Sequence, residues 1–181
     1  MLIAFMPFIV FAIVDRIFGA TAGLVAAAAT SVILLVRDVV LLRNSPKILE
    51  VGTALLFAGL AAYTIMVGRT WSVTGVRLWV DAGLLLIVLV SMIVGRPFTQ
   101  QYARENVDPS LWDSPRFIRT NYVITGAWAL AFGVMVIAEL VLLYVPGLPQ
   151  QVGVIAIVLA LVGAFKFTGW YPQHIKSVHN S

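Results

Sequence analysis

The sequence predicts an all-α fold, a transmembrane bundle of about six helices in a single domain, residues 1–181. Composition is the first reason: 61% of the residues are hydrophobic and 11% are charged, whereas a typical soluble domain is about 25% charged. Distribution is the second reason, because the apolar residues form runs close to the roughly 20 residues that cross a bilayer. Such a composition excludes an ordinary soluble globule and a disordered chain.

Glycine, proline and charged residues separate the apolar runs, which predict helices at 1–18, 21–42, 48–67, 76–94, 118–144 and 150–170. The first run is short for a hydrocarbon core of roughly 30 Å, so a re-entrant segment is the alternative to a full crossing. Ala20-Thr21-Ala22 resembles a signal-peptidase site, but no Lys or Arg precedes the apolar run. We therefore expect a retained helix.

The segment 95–117 is the only long polar connection. Residues 97–102 suggest a short amphipathic helix lying in the membrane interface. Asp108 and Ser114 each precede a proline, which is the pattern of a helix N-cap followed by proline at the first helical position. The loop is a candidate docking element for a partner, and a solvated charged loop is the alternative. Its charged residues are Arg96, Arg104, Glu105, Asp108, Asp113 and Arg116.

Orientation follows from the basic residues, because cytoplasmic loops of membrane proteins carry an excess of Lys and Arg. With six crossings, one face receives Arg37, Arg43, Lys47, Arg96, Arg104, Arg116, Arg119 and Lys176. The opposite face receives only Arg16, Arg69 and Arg77. Both termini and the loop are thus expected in the cytoplasm; if the first helix does not cross, the N-terminus lies outside. The net charge of +4 is explained by orientation and gives no reason to expect nucleic acid.

Charged residues within apolar runs are costly and need an explanation. Arg77 and Asp81 are four residues apart on one predicted helix, where they can pair, and Glu139 is expected at a similar depth. Asp15 and Arg16 end the first helix on the same side. The functional hypothesis is an outward-facing polar pocket that carries protons or binds a cationic group. The structural alternative is an ion-pair network with snorkelling side chains.

On the cytoplasmic side, Arg37 lies near the end of the second predicted helix and Lys166 near the end of the sixth. Both are candidate contacts for lipid phosphate, with snorkelling as the alternative. Arg37 and Asp38 are adjacent and point in different directions on a helix, so we expect each to need its own partner.

Small residues recur at four-residue spacing and predict close helix packing inside the bundle, with a homo-oligomer face as the alternative. These stripes are Gly19, Gly23 and Ala27, then Ala54, Ala58 and Ala62, then Ala156, Ala160 and Ala164.

Catalytic and metal-binding motifs are missing from the sequence. Cysteine is absent, which excludes disulfides and Cys-based metal sites. The two histidines, His174 and His179, both lie near the C-terminal end, so no histidine is available as a base within a predicted span. No phosphate-binding loop or zinc-protease motif occurs. We therefore expect a protein that is not an enzyme and that needs no cofactor or metal.

Four short motifs occur in a characteristic order: Phe5-Met6-Pro7-Phe8, Ala20-Thr21-Ala22-Gly23-Leu24, Gly95-Arg96-Pro97-Phe98-Thr99-Gln100 and Ala127-Trp128-Ala129. Their order and spacing resemble the intracellular septation protein A family, the YciB-type inner-membrane proteins of bacteria. The resemblance implies a non-enzymatic role in cell-envelope integrity, elongation and division, through contacts with other inner-membrane proteins. It implies no catalytic residues.

Two other functions stay open at this point. A small transporter or lipid-handling protein would use the cluster of Arg77, Asp81 and Glu139. An accessory subunit of a membrane enzyme complex would act through its association with that complex.

Overall fold

A computed structural model describes residues 2–43, 45–68, 71–145 and 147–179; for residues 2 and 176–179 it describes the backbone only. The described residues are almost entirely helical and contain no strand, which confirms the all-α prediction. The α-helices are α1 (Met6–Phe18), α2 (Ala20–Val36), α3 (Ile48–Val67), α4 (Val73–Ile93), α5 (Phe98–Ala103), α6 (Pro115–Tyr144) and α7 (Gln150–His179).

Among the described residues, five segments are long and apolar enough to cross a membrane: Ala20–Leu41, Ile48–Val67, Val73–Ile93, Pro115–Tyr144 and Gln150–Ile175. A sixth crossing is not confirmed, because α1 has only 13 residues and is about 20 Å long. It follows a 3₁₀ turn and ends at Gly19, whose φ of 88° separates α1 from α2. Predicted helix starts at 76 and 118 move to Val73 and Pro115, and α7 extends past residue 170.

The chain divides into two compact units, Met1–Ile87 and Val88–Ser181. In the first unit, α1 packs on α2 and α2 packs on α3. Side chains of α1, α2, α3 and α4 form the hydrophobic core of this unit. The core contains Phe11, Leu24, Ala27, Phe57, Ala61, Val76 and Val80. The Phe11 and Phe57 rings lie 5.7 Å apart at their centroids. This core holds the beginning of α4 beside α1, α2 and α3.

The small-residue stripe of α1 and α2 marks a close helix approach. A Cβ atom added at Gly23 would lie 3.0 Å from the backbone nitrogen of Asp15. Gly23 and Ala27 are both buried, so this stripe packs within the first unit. On α3, Ala54 is buried, whereas Ala58 and Ala62 are exposed. The packing in this unit therefore uses Gly23 and Ala27 of the first stripe and Ala54 of the second, whereas Gly19 is exposed.

In the second unit, α6 and α7 form an antiparallel hairpin and α5 packs on α6. Trp128 of α6 donates its indole N–H to the Thr168 hydroxyl of α7 at 2.9 Å. The Thr168 hydroxyl in turn donates to the Ala164 carbonyl at 2.8 Å. A hydrogen bond between two spans replaces solvation that lipid cannot supply, and it fixes the register of the hairpin.

Candidate functional sites

The first candidate site, here named the α1–α4 charge cluster, consists of Asp15, Arg77 and Asp81. The Asp15 side chain is only 2% exposed, and its Oδ2 lies 3.6 Å from Nη2 of Arg77. Asp81 is buried one helical turn after Arg77. The sequence predicted Arg77 as the partner of Asp81, and Arg77 does act electrostatically on Asp81. The structure adds an ion pair between Arg77 and Asp15. The pairing is tertiary, and helix periodicity alone gives no information about it.

Local folding explains why Asp15 needs this partner. Asp15 lies in the last turn of α1, and its carbonyl accepts the capping hydrogen bond from the Gly19 amide at 3.0 Å. A carboxylate near a helix C-terminus is unfavourable because the helix dipole is negative there. Close packing on Gly23 also removes Asp15 from water. The Arg77 guanidinium therefore compensates both the helix dipole and the lost solvation.

Glu139, the third member of the predicted outward-facing pocket, lies on α6 in the second unit and is 3% exposed. Its predicted proximity to Arg77 and Asp81 stays a prediction. Its burial is notable on its own account, because a carboxyl group within a span is rarely placed without a role in stability or function.

A second cluster, the π-turn charge cluster, consists of Arg37, Asp38, Lys47 and Glu50. The chain winds into a π-helical turn at Arg37–Leu41, directly after α2. Asp38 accepts hydrogen bonds from Nε and Nη2 of Arg37, at 2.8 and 2.6 Å. Lys47 is 6% exposed, and its Nζ lies 3.6 Å from Asp38 Oδ2 and 3.2 Å from Glu50 Oε1. Two basic and two acidic groups thus neutralise one another.

This geometry corrects the expectation that Arg37 and Asp38 need separate partners. The directions of adjacent Cβ atoms do diverge, but the long arginine side chain folds back and reaches its neighbour. Because its guanidinium is bound to Asp38, Arg37 is a weaker candidate for lipid phosphate than the sequence indicated. Lys166 is exposed on α7, and its contact with lipid phosphate stays a prediction. In the sequence, Lys47 contributes only to the prediction of orientation. The presence of Glu50 three residues later is the feature that could have predicted its ion pair.

The connection 95–117 is folded. The short helix predicted at 97–102 is present as α5, which begins at Phe98. Most of its side chains are buried, including Phe98, Thr99 and Tyr102. The Ser91 hydroxyl accepts a hydrogen bond from the Phe98 amide at 3.2 Å. Periodicity suggested one exposed polar face, but Thr99 and Gln100 on that face are buried as well. α5 is thus part of the interior of the second unit.

Buried hydrogen bonds of the Thr99 hydroxyl, one to the backbone of Asn121 and one to a side chain, attach α5 to α6. The Thr99 hydroxyl donates to the Asn121 carbonyl at 3.0 Å and lies 2.7 Å from the Thr125 hydroxyl. The Phe98 and Trp128 rings meet edge to face, with centroids 6.4 Å apart. These contacts fix the beginning of the loop to a membrane-spanning helix.

The rest of the loop is organised by the two predicted caps, and both are confirmed. The Asp108 carboxylate accepts hydrogen bonds from the Ser110 hydroxyl at 2.7 Å and the Ser110 amide at 2.9 Å. These bonds, the hydroxyl first, lower the pKa of Asp108 below its ordinary value. The Asp108 cap therefore stabilises the turn above the pKa of the unfolded chain and weakens as pH falls through the folded pKa. Ser114 caps α6 by accepting from the Phe117 amide at 3.3 Å.

The charged side chains of the loop divide into two groups. The Arg104 guanidinium lies 5.1 Å from the centre of the Trp112 ring, and Arg116 donates to the Ile175 carbonyl at 2.6 Å. The other group is exposed and comprises Arg96, Glu105, Asp108 and Asp113. We name this second group the exposed loop charges. They extend from a backbone that hydrogen bonds hold in place.

Replacement of Thr99 by valine is expected to loosen the loop. The change keeps the side-chain shape but leaves the Asn121 carbonyl and the Thr125 hydroxyl without the Thr99 bond, a loss of about 1–3 kcal/mol. Trypsin should then cut after Arg104 several times faster in the purified full chain. Thr21→Val, at an exposed position on α2, is the matched control and should leave the rate unchanged. Equal cleavage rates in the two variants would contradict this description of the loop.

Metal binding has no evident site in the ranges that the structure describes, since no three His, Asp or Glu side chains come together in a metal-binding geometry there. In the part of the chain that the structure describes, five helices are long and apolar enough to cross a membrane, which is typical of an α-helical, multi-pass membrane protein. No family model, curated protein or solved structure matches the chain. The resemblance to the septation protein A family therefore depends on the four motifs.

Three of these motifs coincide with close helix contacts. Gly23 lies at a close approach of α1 and α2, Thr99 carries buried hydrogen bonds of α5, and Trp128 joins α6 to α7. Each motif thus has a packing reason in this chain. None of them places a nucleophile or a general base in a cavity.

Proposed function

We propose that the protein is a non-enzymatic component of the bacterial inner membrane that supports envelope integrity and division through contacts with other membrane proteins. The observation that carries the proposal is the folded connection 95–117, whose exposed loop charges stand on a fixed backbone. The motif resemblance described above supports the same function. In this proposal the loop faces the cytoplasm, in agreement with the positive-inside rule.

The folded state of the loop matters for binding because a flexible loop loses conformational freedom when it binds a partner. A surface that is already ordered avoids most of this loss, about 0.5–1.5 kcal/mol for each immobilised side chain. Arg96, Glu105 and Asp113 offer both signs of charge, which favours recognition of a complementary polar surface over simple attraction to anionic lipid. The expected partner surface is therefore polar and lies at the membrane border.

Site-specific photo-crosslinking in growing cells tests this proposal. A photoreactive residue at Glu105 or Asp113 should capture a defined integral membrane protein of the elongation or division machinery. The matched control is the same residue at Leu159, an exposed position on α7 within a membrane-spanning segment, which should capture mainly lipid. If the loop positions and Leu159 gave the same pattern, or if the loop captured only lipid, the proposal would be wrong.

The α1–α4 charge cluster supports a second candidate function, binding or transfer of a proton or small cation. Asp15 and Asp81 supply two buried carboxyl groups beside one guanidinium. If both acids are ionised, the cluster carries surplus negative charge that a proton or cation would neutralise. Ionisable groups within spans often mark such pathways.

Asp81→Asn separates the two candidates. A transporter should lose ion-dependent flux in proteoliposomes while the variant stays folded, because the amide keeps the shape and removes the ionisable group. Asp108→Asn, which changes an exposed acid in the loop, is the control. A protein that acts through contacts should retain its function with Asp81→Asn.

A further inference from the structure

A cavity of about 510 Å³ lies in the second unit, between the first turns of α6 and the last turns of α7. Pro115, Arg116, Arg119 and Thr120 line it from α6, and Tyr171 and His174 are among the lining residues of α7. The volume falls within the range of about 300–1,000 Å³ that is usual for small-molecule sites. Arg116 belongs to the connection 95–117, but the proposed contact function does not involve the cavity.

The lining of this α6–α7 cavity has a single sign of charge. Among the described residues that line it, the permanently charged groups are the guanidinium groups of Arg116 and Arg119. Thr120, Tyr171 and His174 add hydroxyl and imidazole groups that can donate hydrogen bonds. The first turn of α6 also contributes, since the N-terminus of a 30-residue helix carries partial positive charge. Together these groups suit an anion that accepts several hydrogen bonds.

Arg116 also keeps the cavity in shape. Its Nη2 donates to the Ile175 carbonyl at 2.6 Å, which ties the start of α6 to the end of α7. The Trp170 and His174 rings stack with centroids 4.7 Å apart, and Phe167 and Tyr171 stack at 5.0 Å. These contacts fix the α7 side of the cavity. The exposed Arg119 is the basic group best placed to bind a ligand without first breaking a contact.

The position of the cavity indicates the class of ligand. It lies where two apolar spans end, beside Trp170 and Tyr171, residue types that concentrate at the headgroup level of a bilayer. Below it, α7 presents exposed apolar side chains along its span, including Leu159, Val162 and Phe165. Acyl chains can lie along such a surface while a headgroup enters the cavity. Basic pockets between transmembrane helices are known to hold anionic headgroups.

We propose that the α6–α7 cavity binds a phosphate group, first of all that of an anionic phospholipid headgroup. Arg119 is the main phosphate contact, and Arg116, Thr120 and the start of α6 complete the site. The same chemistry would accept a soluble phosphate, so the test must distinguish the two sources. This proposal is independent of the contact function of the loop.

Native mass spectrometry of the full-length protein in detergent provides the test. With phosphatidylglycerol and phosphatidylcholine present at equal concentration, the wild-type chain should retain phosphatidylglycerol preferentially. Arg119→Gln should lower that preference about fivefold, which corresponds to roughly 1 kcal/mol for one basic residue near a headgroup. Arg119→Lys should keep most of the preference because it keeps the charge. Arg96→Gln, an exposed arginine outside the cavity, is the matched control and should have no effect.

Calorimetric titration with inorganic phosphate tests whether the cavity binds a soluble phosphate. If phosphatidylglycerol shows no preference but inorganic phosphate binds in a manner that depends on Arg119, the site is a phosphate site with a soluble ligand. If neither ligand depends on Arg119, or if Arg96→Gln has the same effect as Arg119→Gln, the proposal is overturned. Circular dichroism of each variant serves as the check that the helices are intact, so that a loss of binding can be assigned to the cavity.

Discussion

Replacing Arg77 with leucine is expected to destabilise the first unit by about 3 kcal/mol, the usual cost of leaving one member of a buried ion pair behind. The Asp15 carboxylate would then lie buried at the negative end of α1 without its guanidinium 3.6 Å away. The measurement is unfolding by titration with denaturing detergent in mixed micelles, with helix content followed by circular dichroism. The midpoint should fall clearly below that of the wild-type chain.

Arg16→Leu is the matched control for this prediction. Arg16 follows Asp15 directly in sequence, but its side chain is exposed, so its loss should have little effect on the midpoint. The double variant Asp15→Asn with Arg77→Gln should lie closer to wild type than Arg77→Leu does, because it leaves no unpaired carboxylate at position 15. Equal midpoints for Arg77→Leu and Arg16→Leu would show that the ion pair does not stabilise this unit.

Replacing Lys47 with methionine is expected to destabilise the first unit by a similar amount, about 3 kcal/mol. Methionine keeps the volume and removes the ammonium group that lies 3.6 Å from Asp38 and 3.2 Å from Glu50. Arg37 would still neutralise Asp38, so the main loss should arise at Glu50 and at the start of α3. Hydrogen exchange should therefore increase in the first turn of α3 and in the π-helical turn.

Arg43→Met is the control for Lys47→Met, because it removes an exposed positive charge from the same connection. Arg43 has a positive φ of 53°, and methionine accepts this backbone conformation no better than arginine, so local strain is unchanged. The protein should tolerate this change without faster exchange in α3. If the two variants exchanged alike, the role assigned to Lys47 in the π-turn charge cluster would be contradicted.

The long helices could be predicted from the sequence because their cause is local. Uninterrupted apolar runs fix α3 at Ile48–Val67, as predicted, and prolines with preceding Asp or Ser fix the starts of the 3₁₀ turn at Pro109 and of α6 at Pro115. The first segment was recognised as short because length is also a local property, and α1 is indeed too short to be counted among the spans. Hydropathy underestimated the length of α7, because its last turns are polar but still helical.

The sites were less predictable because they depend on contacts between distant parts of the chain. Helix spacing favours Arg77 with Asp81, but it cannot predict that the packing of α1 also brings Asp15 to Arg77. Similarly, the composition of α5 is typical of an interfacial helix, and its burial depends on contacts with α6 such as the hydrogen bond between the Thr99 and Thr125 hydroxyl groups. The basic cavity joins α6 residues to α7 residues more than 50 positions away, a distance over which a single sequence carries no pairing information.

The central claim, that the protein acts through the surface of its folded loop, is tested most directly by complementation of a deletion strain. One variant reverses two of the exposed loop charges, Arg96→Glu with Asp113→Lys, and the other carries Asp81→Asn. Cell length and resistance to detergent are measured at matched protein levels. The account predicts that the loop variant fails and that Asp81→Asn restores normal growth. Failure of Asp81→Asn together with full function of the loop variant would contradict the account and place the function in the α1–α4 charge cluster.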